Sequence, residues 1–243
     1  MTSASYHIAP DPAALAVQAA DWIVERLQTS SGRFALNLSG GSTPKRLYEL
    51  LAMPPWRERI DWRRVHLFFG DERYVPHDDP DSNYRMVDEA LIRHVPIPPE
   101  NVFAIPSGPT PDDAARSYEA TLRAYYGAAE LDPARPLFDV TLLGLGPDGH
   151  TASLFPGSAS LEETIAWVLP VIGSKPPPQR ITLTFPVLNS SAAIAFLATG
   201  GEKTDIIRRV HAGDRSLPAA RLTPLGELHW FLDAEAARGL DKP

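Results

Sequence analysis

The chain has 243 residues, of which 44% are hydrophobic and 22% charged, and this ordinary globular composition excludes extensive disorder. A formal net charge of −7 argues against a broad nucleic-acid-binding surface, and no apolar stretch approaches the roughly 18 residues of a membrane helix. The absence of cysteine excludes disulfides and cysteine nucleophiles and fits a reducing compartment.

Helical and strand patterns alternate in the first half of the chain. In chain order, apolar periodicity and capping residues predict a helix from Asp11–Pro12, a strand at 34–38, a helix after Pro44, a strand at 65–69, and helices from Ser82 and Thr110. No internal repeat and no clean linker separates these elements.

The second half continues this alternation around a long apolar run. It predicts strands at 138–145, 180–185 and 192–198, a helix after Gly200–Gly201, and a last strand at 228–232. A continuous apolar run is typical of a strand that is covered on both faces. Because helices intervene between strands, we expect one α/β domain over residues 1–243, with a mainly parallel, twisted sheet sandwiched between helices.

The first predicted strand leads into a loop rich in glycine and hydroxyl groups. It contains Gly40, Gly41, Ser42 and Thr43 directly before a helix. Glycine lets the backbone approach a ligand closely, and a helix start offers free N–H groups to an anion. An ordinary tight turn with a Ser or Thr cap is the alternative. The loop lacks the Gly-Lys-Ser/Thr ending of a Walker phosphate loop.

Three charged residues, Asp71, Glu72 and Arg73, follow the second predicted strand. Charges in such a place are costly to bury unless they are paired or bind a ligand. Arg73 suits a phosphate or lactone oxygen, and Asp71 or Glu72 could hold Arg73 in place. A solvated ion-pair loop is the alternative. The acidic segment 77–83 lacks the spacing of a calcium loop, so we expect no metal site there.

A third loop, residues 144–156, follows the most apolar strand and contains His150 after a glycine-rich turn. Imidazole exchanges a proton near neutral pH, which makes His150 a candidate general base. Asp148 lies two residues before it and could set the imidazole tautomer or the position of the substrate. The glycines could supply backbone donors to an oxyanion. A structural histidine that only forms hydrogen bonds is the alternative.

Two further cations stand where predicted elements begin. Arg180 begins a strand, and Lys203 follows two glycines at a helix start. Each could be an ordinary surface charge. Lys203 is the better ligand candidate, because glycines before a helix repeat the pattern of the first loop.

In combination, these segments resemble the 6-phosphogluconolactonase family. The matching segments are residues 38–44, 70–76, 81–84, 144–156 and 180–182. The run 148–156, Asp-Gly-His-Thr-Ala-Ser-Leu-Phe-Pro, is the most specific of them, whereas the Gly-Gly-Ser-Thr-Pro segment is shared more widely. The segments occur in the family's order and show no departure from its motifs.

The resemblance implies a glucosamine-6-phosphate deaminase-like fold and hydrolysis of 6-phosphoglucono-δ-lactone, the second step of the oxidative pentose phosphate pathway. It implies that His150 is the general base. With the reasoning above, we expect catalytic roles for His150, Asp148 and Arg73. Substrate or phosphate binding is expected of Gly40, Gly41, Ser42, Thr43, Asp71, Arg180 and Lys203.

The expected reaction needs no cofactor, metal or nucleophilic residue, since a lactone carbonyl is already electrophilic. Backbone N–H groups or Arg73 could stabilise the oxyanion, and the sequence does not choose between them. We expect a cytoplasmic monomer or small homo-oligomer that binds a sugar phosphate lactone, with no nucleic-acid or membrane partner.

Two alternatives remain at this point. A glucosamine-6-phosphate deaminase would share the fold and the Asp-Gly-His turn, but that family typically continues with an Asn-Glu-Pro-like segment. Here residues 153–156 read Ser-Leu-Phe-Pro, without the carboxylate. A non-catalytic sugar-phosphate sensor would carry a DNA-binding segment, for which this chain offers no spare basic helix-turn-helix.

Overall fold

The computed structural model describes residues 4–238 and residue 240. The strands are β1 (Ala4–Ala9), β2 (Phe34–Leu38), β3 (Val65–Phe69), β4 (Asp71–Arg73), β5 (Val102–Phe103), β6 (Val140–Gly144), β7 (Val168–Ile172), β8 (Gln179–Leu183), β9 (Ala193–Ala198) and β10 (Glu227–Asp233). The α-helices are α1 (Pro12–Thr29), α2 (Ser42–Leu51), α3 (Trp56–Arg59), α4 (Asn83–Ala90), α5 (Pro111–Tyr126), α6 (Phe185–Asn189) and α7 (Thr204–His211). None of the described helices is long and apolar enough to cross a bilayer.

A seven-stranded sheet forms the centre of the molecule. Its spatial order is β1-β10-β9-β6-β2-β3-β5, and every neighbouring pair is parallel. A smaller antiparallel sheet has the order β4-β8-β7. Helix α1 packs against α2, and α2 against α4, whereas α5 contacts the small sheet. The mainly parallel α/β architecture expected from the sequence is confirmed.

The chain changes direction across the sheet between β2 and β6, which are neighbours. Strands β3 and β5 follow β2 and lie on one side of it, whereas β9 and β10 follow β6 and lie on the other. Right-handed crossovers then place the connecting helices on opposite faces. A crevice opens at such a reversal, beyond the carboxyl ends of the strands. The loops after β2 and β6 therefore border a crevice that the topology creates.

The central strands have the burial that their composition predicts. All residues of β2 and β9 are buried, as is β6 up to Leu143. Burial of one large apolar side chain such as Phe196, which is fully buried, contributes about 1.5–3 kcal/mol. Because these strands are covered on both faces, their sequences are mostly apolar, and this pattern predicts them.

The N-terminal caps predicted for three helices are confirmed. The Asp11 carboxylate accepts a hydrogen bond from the Ala13 N–H at 2.9 Å. Ser82 and Thr110 each accept the N–H three residues on, at 3.2 Å and 3.1 Å. These contacts satisfy backbone donors that a helix start leaves unpaired, so they fix where α1, α4 and α5 begin.

Sequence patterns do not predict β1, β4, β5 and β7. Strand β1 contains Ser5, Tyr6 and His7 instead of an apolar run, and β4 consists of three charged residues. Strand β5 has only two residues, and β7 contains a proline. Each depends on pairing with a strand distant in sequence, which local propensity does not reveal. Residues 180–185 are predicted as one strand, whereas β8 ends at Leu183 and α6 begins at Phe185.

Glu72 joins the small sheet to the start of α4 from a buried position in β4. Its carboxylate accepts from the N–H groups of Arg73, Asn83 and Tyr84 at 2.7, 2.6 and 2.8 Å. The Ser82 hydroxyl donates a fourth hydrogen bond at 3.0 Å. Burial raises the pKa of Glu72, and these donors oppose that rise because they stabilise the carboxylate. Glu72 thereby fixes the first turn of α4 against β4.

We expect Glu72→Gln to lower the free energy of unfolding by about 2–4 kcal/mol, because an amide offers one acceptor oxygen to four buried donors. Chemical denaturation measures the change. Glu25→Gln, at an exposed position on α1, is the control and should change stability by less than about 0.5 kcal/mol. Equal stability of the two variants would contradict this account of Glu72.

Candidate active site

A cleft of about 550 Å³ lies beyond the carboxyl ends of β2, β6 and β9. The small sheet supplies one of its walls. All ten residues that the sequence singles out line this cleft: Gly40, Gly41, Ser42, Thr43, Asp71, Arg73, Asp148, His150, Arg180 and Lys203. The parallel topology explains this convergence, because it brings strand ends that are distant in sequence to one edge of the sheet.

His150 and Asp148 form a hydrogen-bonded pair on the turn after β6. The Gly149 N–H donates to the Gly146 carbonyl at 3.0 Å, and the Gly146 N–H donates to the His150 carbonyl at 2.8 Å. This turn brings His150 Nδ1 to 2.5 Å from Asp148 Oδ1. Gly149 has a φ of +81°, which glycine adopts without strain.

Contact with a carboxylate determines which imidazole nitrogen carries the proton. Asp148 accepts from Nδ1, so the neutral ring has its lone pair on Nε2. Nε2 of His150 has no hydrogen-bond partner within the described part of the chain. Burial raises the pKa of Asp148, but the hydrogen bonds and charge of His150 outweigh it and hold this pKa below its ordinary value. The pair is therefore arranged for proton transfer at Nε2.

The imidazole is held between a glycine and an aromatic ring. A Cβ atom placed on Gly146 would overlap the His150 ring, so no larger residue fits there without a shift. On the other side, the Phe155 ring lies 4.9 Å from the imidazole, centroid to centroid. These contacts restrict the ring to one orientation. Phe155 occupies the segment in which the deaminase alternative would require a carboxylate.

The loop after β2 presents the start of α2 to the cleft. Gly41 has a φ of +106° and stands at the N-cap position, where it has no side chain to cap the helix. The N–H groups of Ser42 and Thr43 therefore meet no acceptor in the described ranges. The loop is tied to β6 through Ser39, whose hydroxyl accepts the Gly144 N–H at 3.2 Å. Free N–H groups at the start of a helix form an anion site.

The loop after β9 brings a lysine to the same region. The Thr199 hydroxyl lies 3.0 Å from that of Thr43, which joins the ends of β9 and the start of α2. The Gly200 N–H donates to the Asp233 carboxylate at 3.1 Å, and Lys203 follows in a short 3₁₀ turn. Lys203 forms no salt bridge with any described residue. Its ammonium group is therefore available to an anion in the cleft.

Two arginines stand opposite each other on the wall of the cleft. Arg73 of β4 pairs in register with Arg180 of β8, and neither forms a salt bridge within residues 4–238. Like charges directly opposite on a sheet destabilise it. Burial lowers the pKa of Arg180, and the charge of Arg73 lowers it further. A bound anion would relieve both costs.

Backbone carbonyls, and not carboxylates, hold these guanidinium groups. Arg73 donates to the Asp81 carbonyl at 2.5 Å, and Arg180 donates to the Pro177 carbonyl at 2.8 Å. Neither Asp71 nor Glu72 contacts the guanidinium of Arg73 among the described hydrogen bonds, although Glu72 holds Arg73 by accepting its backbone N–H at 2.7 Å. Asp71 accepts from the Ser153 hydroxyl at 2.6 Å instead. Asp71 is buried at the edge of the cleft, where its second oxygen is within 3.4 Å of the Asn83 amide.

Several residues that line the cleft were not singled out from the sequence. They are chiefly Asn83, Ser153, Phe155, Ser174, Lys175 and Glu202. Lys175 lies in the proline-rich connection between β7 and β8. Because β8 pairs with β4, the tip of this hairpin reaches the cleft. The sequence feature that could have indicated its place in the cleft is that Lys175 is a basic residue close to Arg180 in the chain.

Comparison with known proteins agrees with this geometry. Residues 10–230 match the family described as glucosamine-6-phosphate isomerases/6-phosphogluconolactonase. The 6-phosphogluconolactonase of Nostoc sp. is 39% identical over 241 residues, which cover 96% of this chain and 97% of that protein.

Solved structures agree as well. The 6-phosphogluconolactonase from Trypanosoma brucei has a TM-score of 0.83 and 32% identity, with 99% of this chain and 100% of that chain covered. A monomeric glucosamine-6-phosphate deaminase has a TM-score of 0.79 at 21% identity, covering 96% and 98%, which shows the deaminase-like fold. The chain belongs to the glucosamine-6-phosphate isomerase/6-phosphogluconolactonase family.

Proposed function

We propose that this protein hydrolyses 6-phosphoglucono-δ-lactone to 6-phosphogluconate, the second step of the oxidative pentose phosphate pathway. The observation that carries the proposal is the Asp148–His150 pair, in a cleft that also contains helix N–H groups and cationic side chains without a salt bridge to any described residue. The relatives named 6-phosphogluconolactonase support this assignment.

His150 acts as the general base. Its neutral Nε2 takes a proton from water while the water oxygen bonds to C1 of the lactone, and the carbonyl π electrons move onto the carbonyl oxygen. When the C1–ring oxygen bond breaks, the imidazolium returns the proton to the ring oxygen. Asp148 supports both steps because it maintains the tautomer and stabilises the imidazolium.

The tetrahedral intermediate carries a negative charge on its oxygen, which needs donors that are already in place. Arg73 lines the cleft and is held by the Asp81 carbonyl, so it is one candidate donor. Backbone N–H groups of the glycine-rich turns are the other. Both kinds of donor would stabilise the transition state more than the substrate, because the lactone carbonyl oxygen is uncharged before attack.

The phosphate group anchors the substrate away from the reacting carbon. We assign its binding to the loop before α2 and to the cations of the cleft that have no carboxylate partner among the described residues: Gly40, Gly41, Ser42, Thr43, Arg73, Arg180 and Lys203. Asp71 is assigned to the sugar hydroxyls, because a carboxylate would repel phosphate. Binding energy from a remote phosphate positions C1 beside His150.

A deaminase activity is less well supported by this site. Proton shuttling along a sugar chain requires a further acid near the base, whereas the aromatic ring of Phe155 contacts His150 here. Hydrolysis requires only one base and an oriented water molecule. The geometry therefore favours the lactonase.

The proposal extends to the setting in which the protein works. A continuous hydrophobic core contacts both sheets, which supports one domain over residues 1–243. The lack of cysteine and the net charge of −7 support a cytoplasmic enzyme without nucleic-acid or membrane partners. The proposed chemistry requires no cofactor or metal, and a monomer or small homo-oligomer suffices.

The direct test follows freshly generated 6-phosphoglucono-δ-lactone against its spontaneous hydrolysis, with and without a chelator. We expect acceleration that survives chelation, since His150 and water complete the reaction. Proton release in weakly buffered solution measures the rate. An unaccelerated reaction in a folded protein that still binds 6-phosphogluconate would favour the sensor alternative.

We expect His150→Asn to lower kcat by about two to four orders of magnitude while the protein remains folded, because the general base is lost. Steady-state kinetics and circular dichroism measure the two properties. His94→Asn, at an exposed position, is the control and should retain full activity. Near-normal turnover by the His150 variant would remove His150 from the mechanism.

Lys203→Ala should raise KM for the phosphorylated lactone by about 10- to 100-fold, through loss of one charge-assisted hydrogen bond. Its effect on unphosphorylated glucono-δ-lactone should be small. Lys45→Ala removes the same charge from an exposed position on α2, outside the cleft lining, and serves as the control. Equal losses on both lactones would show that Lys203 is not a phosphate ligand; Arg73→Ala is tested in the same way.

A further inference from the structure

Two fully buried tyrosines each use one hydroxyl to bind both backbone groups of a single residue. The Tyr48 hydroxyl accepts the Ser39 N–H at 3.0 Å and donates to the Ser39 carbonyl at 2.8 Å. The Tyr118 hydroxyl accepts the Phe69 N–H at 2.9 Å and donates to the Phe69 carbonyl at 3.1 Å. Such a double contact fixes the peptide groups on both sides of the bound residue.

Both contacts lie where a strand meets the cleft. Ser39 directly follows β2, and Phe69 is the last residue of β3. The next residues along the chain are the anion-binding loop 40–43 in one case and the strand β4 in the other. Neither tyrosine lines the cleft, so neither touches a ligand there.

Tyr48 differs from Tyr118 because it belongs to the helix that the loop begins. It lies in α2, and its hydroxyl reaches back to Ser39, nine residues earlier. The bond therefore closes a ring made of the end of β2, the loop 40–43 and the first turns of α2. The free N–H groups of Ser42 and Thr43 belong to this ring.

The same ring is connected to the loop of the proposed base. Ser39 accepts the Gly144 N–H through its hydroxyl at 3.2 Å, while Tyr48 holds its backbone. Gly144 ends β6, and the turn that carries His150 follows it. Loss of the Tyr48 hydroxyl would release two buried backbone groups at the junction of these loops, and such groups are costly to leave unpaired.

We infer that Tyr48 is a positioning residue for phosphate: its hydroxyl fixes Ser39 and thereby aims the loop 40–43 at the phosphate of the substrate. This inference deepens the proposed function and rests on its assignment of that loop to phosphate. The expected signature is weaker anion binding with a largely retained chemical step, since the turn of His150 and Asp148 is also held by hydrogen bonds of its own.

Tyr48→Phe tests this inference, because it keeps the buried ring and removes only the hydroxyl. We expect KM for the phosphorylated lactone to rise about tenfold, as for one misaligned charge-assisted hydrogen bond, with kcat changed less than about threefold. The Kd of inorganic phosphate, measured by calorimetry, should rise by a similar factor.

The matched control is Tyr126→Phe. The Tyr126 hydroxyl also joins two backbone groups, accepting the Asp132 N–H at 2.9 Å and donating to the Arg135 carbonyl at 2.8 Å, but it lies outside the cleft lining. Its removal should lower the melting temperature without changing KM or the phosphate Kd. Equal effects of the two variants, or a fall in kcat alone for Tyr48→Phe, would overturn the positioning role.

The phosphate measurement separates this inference from the proposed function. A wild-type protein that does not hydrolyse the lactone contradicts the proposed function. The ratio of phosphate Kd values between Tyr48→Phe and wild type still decides the inference about Tyr48.

If Tyr48→Phe fails to fold, hydrogen exchange of the Ser39 amide in the wild-type protein decides the inference. Saturating phosphate should slow that exchange and leave the Asp132 amide unchanged; an unchanged Ser39 amide overturns the inference.

Discussion

Seven parallel strands present all their carboxyl ends at one edge of the central sheet, and the rest of the site depends on this constraint. The reversal between β2 and β6 keeps the connecting helices apart, so the edge stays open there. Loops from β2, β6 and β9 therefore meet although they are far apart in sequence. The Thr43–Thr199 contact and the Ser39–Gly144 hydrogen bond are direct results of this convergence.

The small antiparallel sheet brings charged residues into the interior of the protein. Asp71 and Glu72 are buried, and each accepts hydrogen bonds from residues near the start of α4 or from Ser153. Satisfied carboxylates of this kind hold the wall of the cleft rigidly. Arg73 and Arg180, on the same wall, form no salt bridge with any residue that the structure describes. The buried carboxylates, which have hydrogen-bond partners, therefore support the site, whereas the two arginines form part of its binding surface.

An acidic protein can still bind an anion if its cations are concentrated where the ligand lies. The net charge is −7, yet Arg73, Lys175, Arg180 and Lys203 all line one cleft. Arg180 is buried and Arg73 and Lys203 are half-buried, and such burial would strengthen their attraction for an anion because less water screens it. Long-range repulsion from the rest of the surface is reduced at physiological salt, where the screening length is about 8 Å. Local geometry therefore outweighs the overall charge.

The amino-acid sequence by itself determined the α/β class, the central strands, three helix caps and the ten residues of the candidate site. It could do so because buried parallel strands, capping residues and glycine-rich loops leave local patterns. Only the tertiary structure decided the pairing of β4 with β8, the partners of Asp71 and Glu72, and the arrival of Lys175 at the cleft. These features depend on contacts between segments that are distant in sequence, and no local sequence pattern reveals which segments will meet.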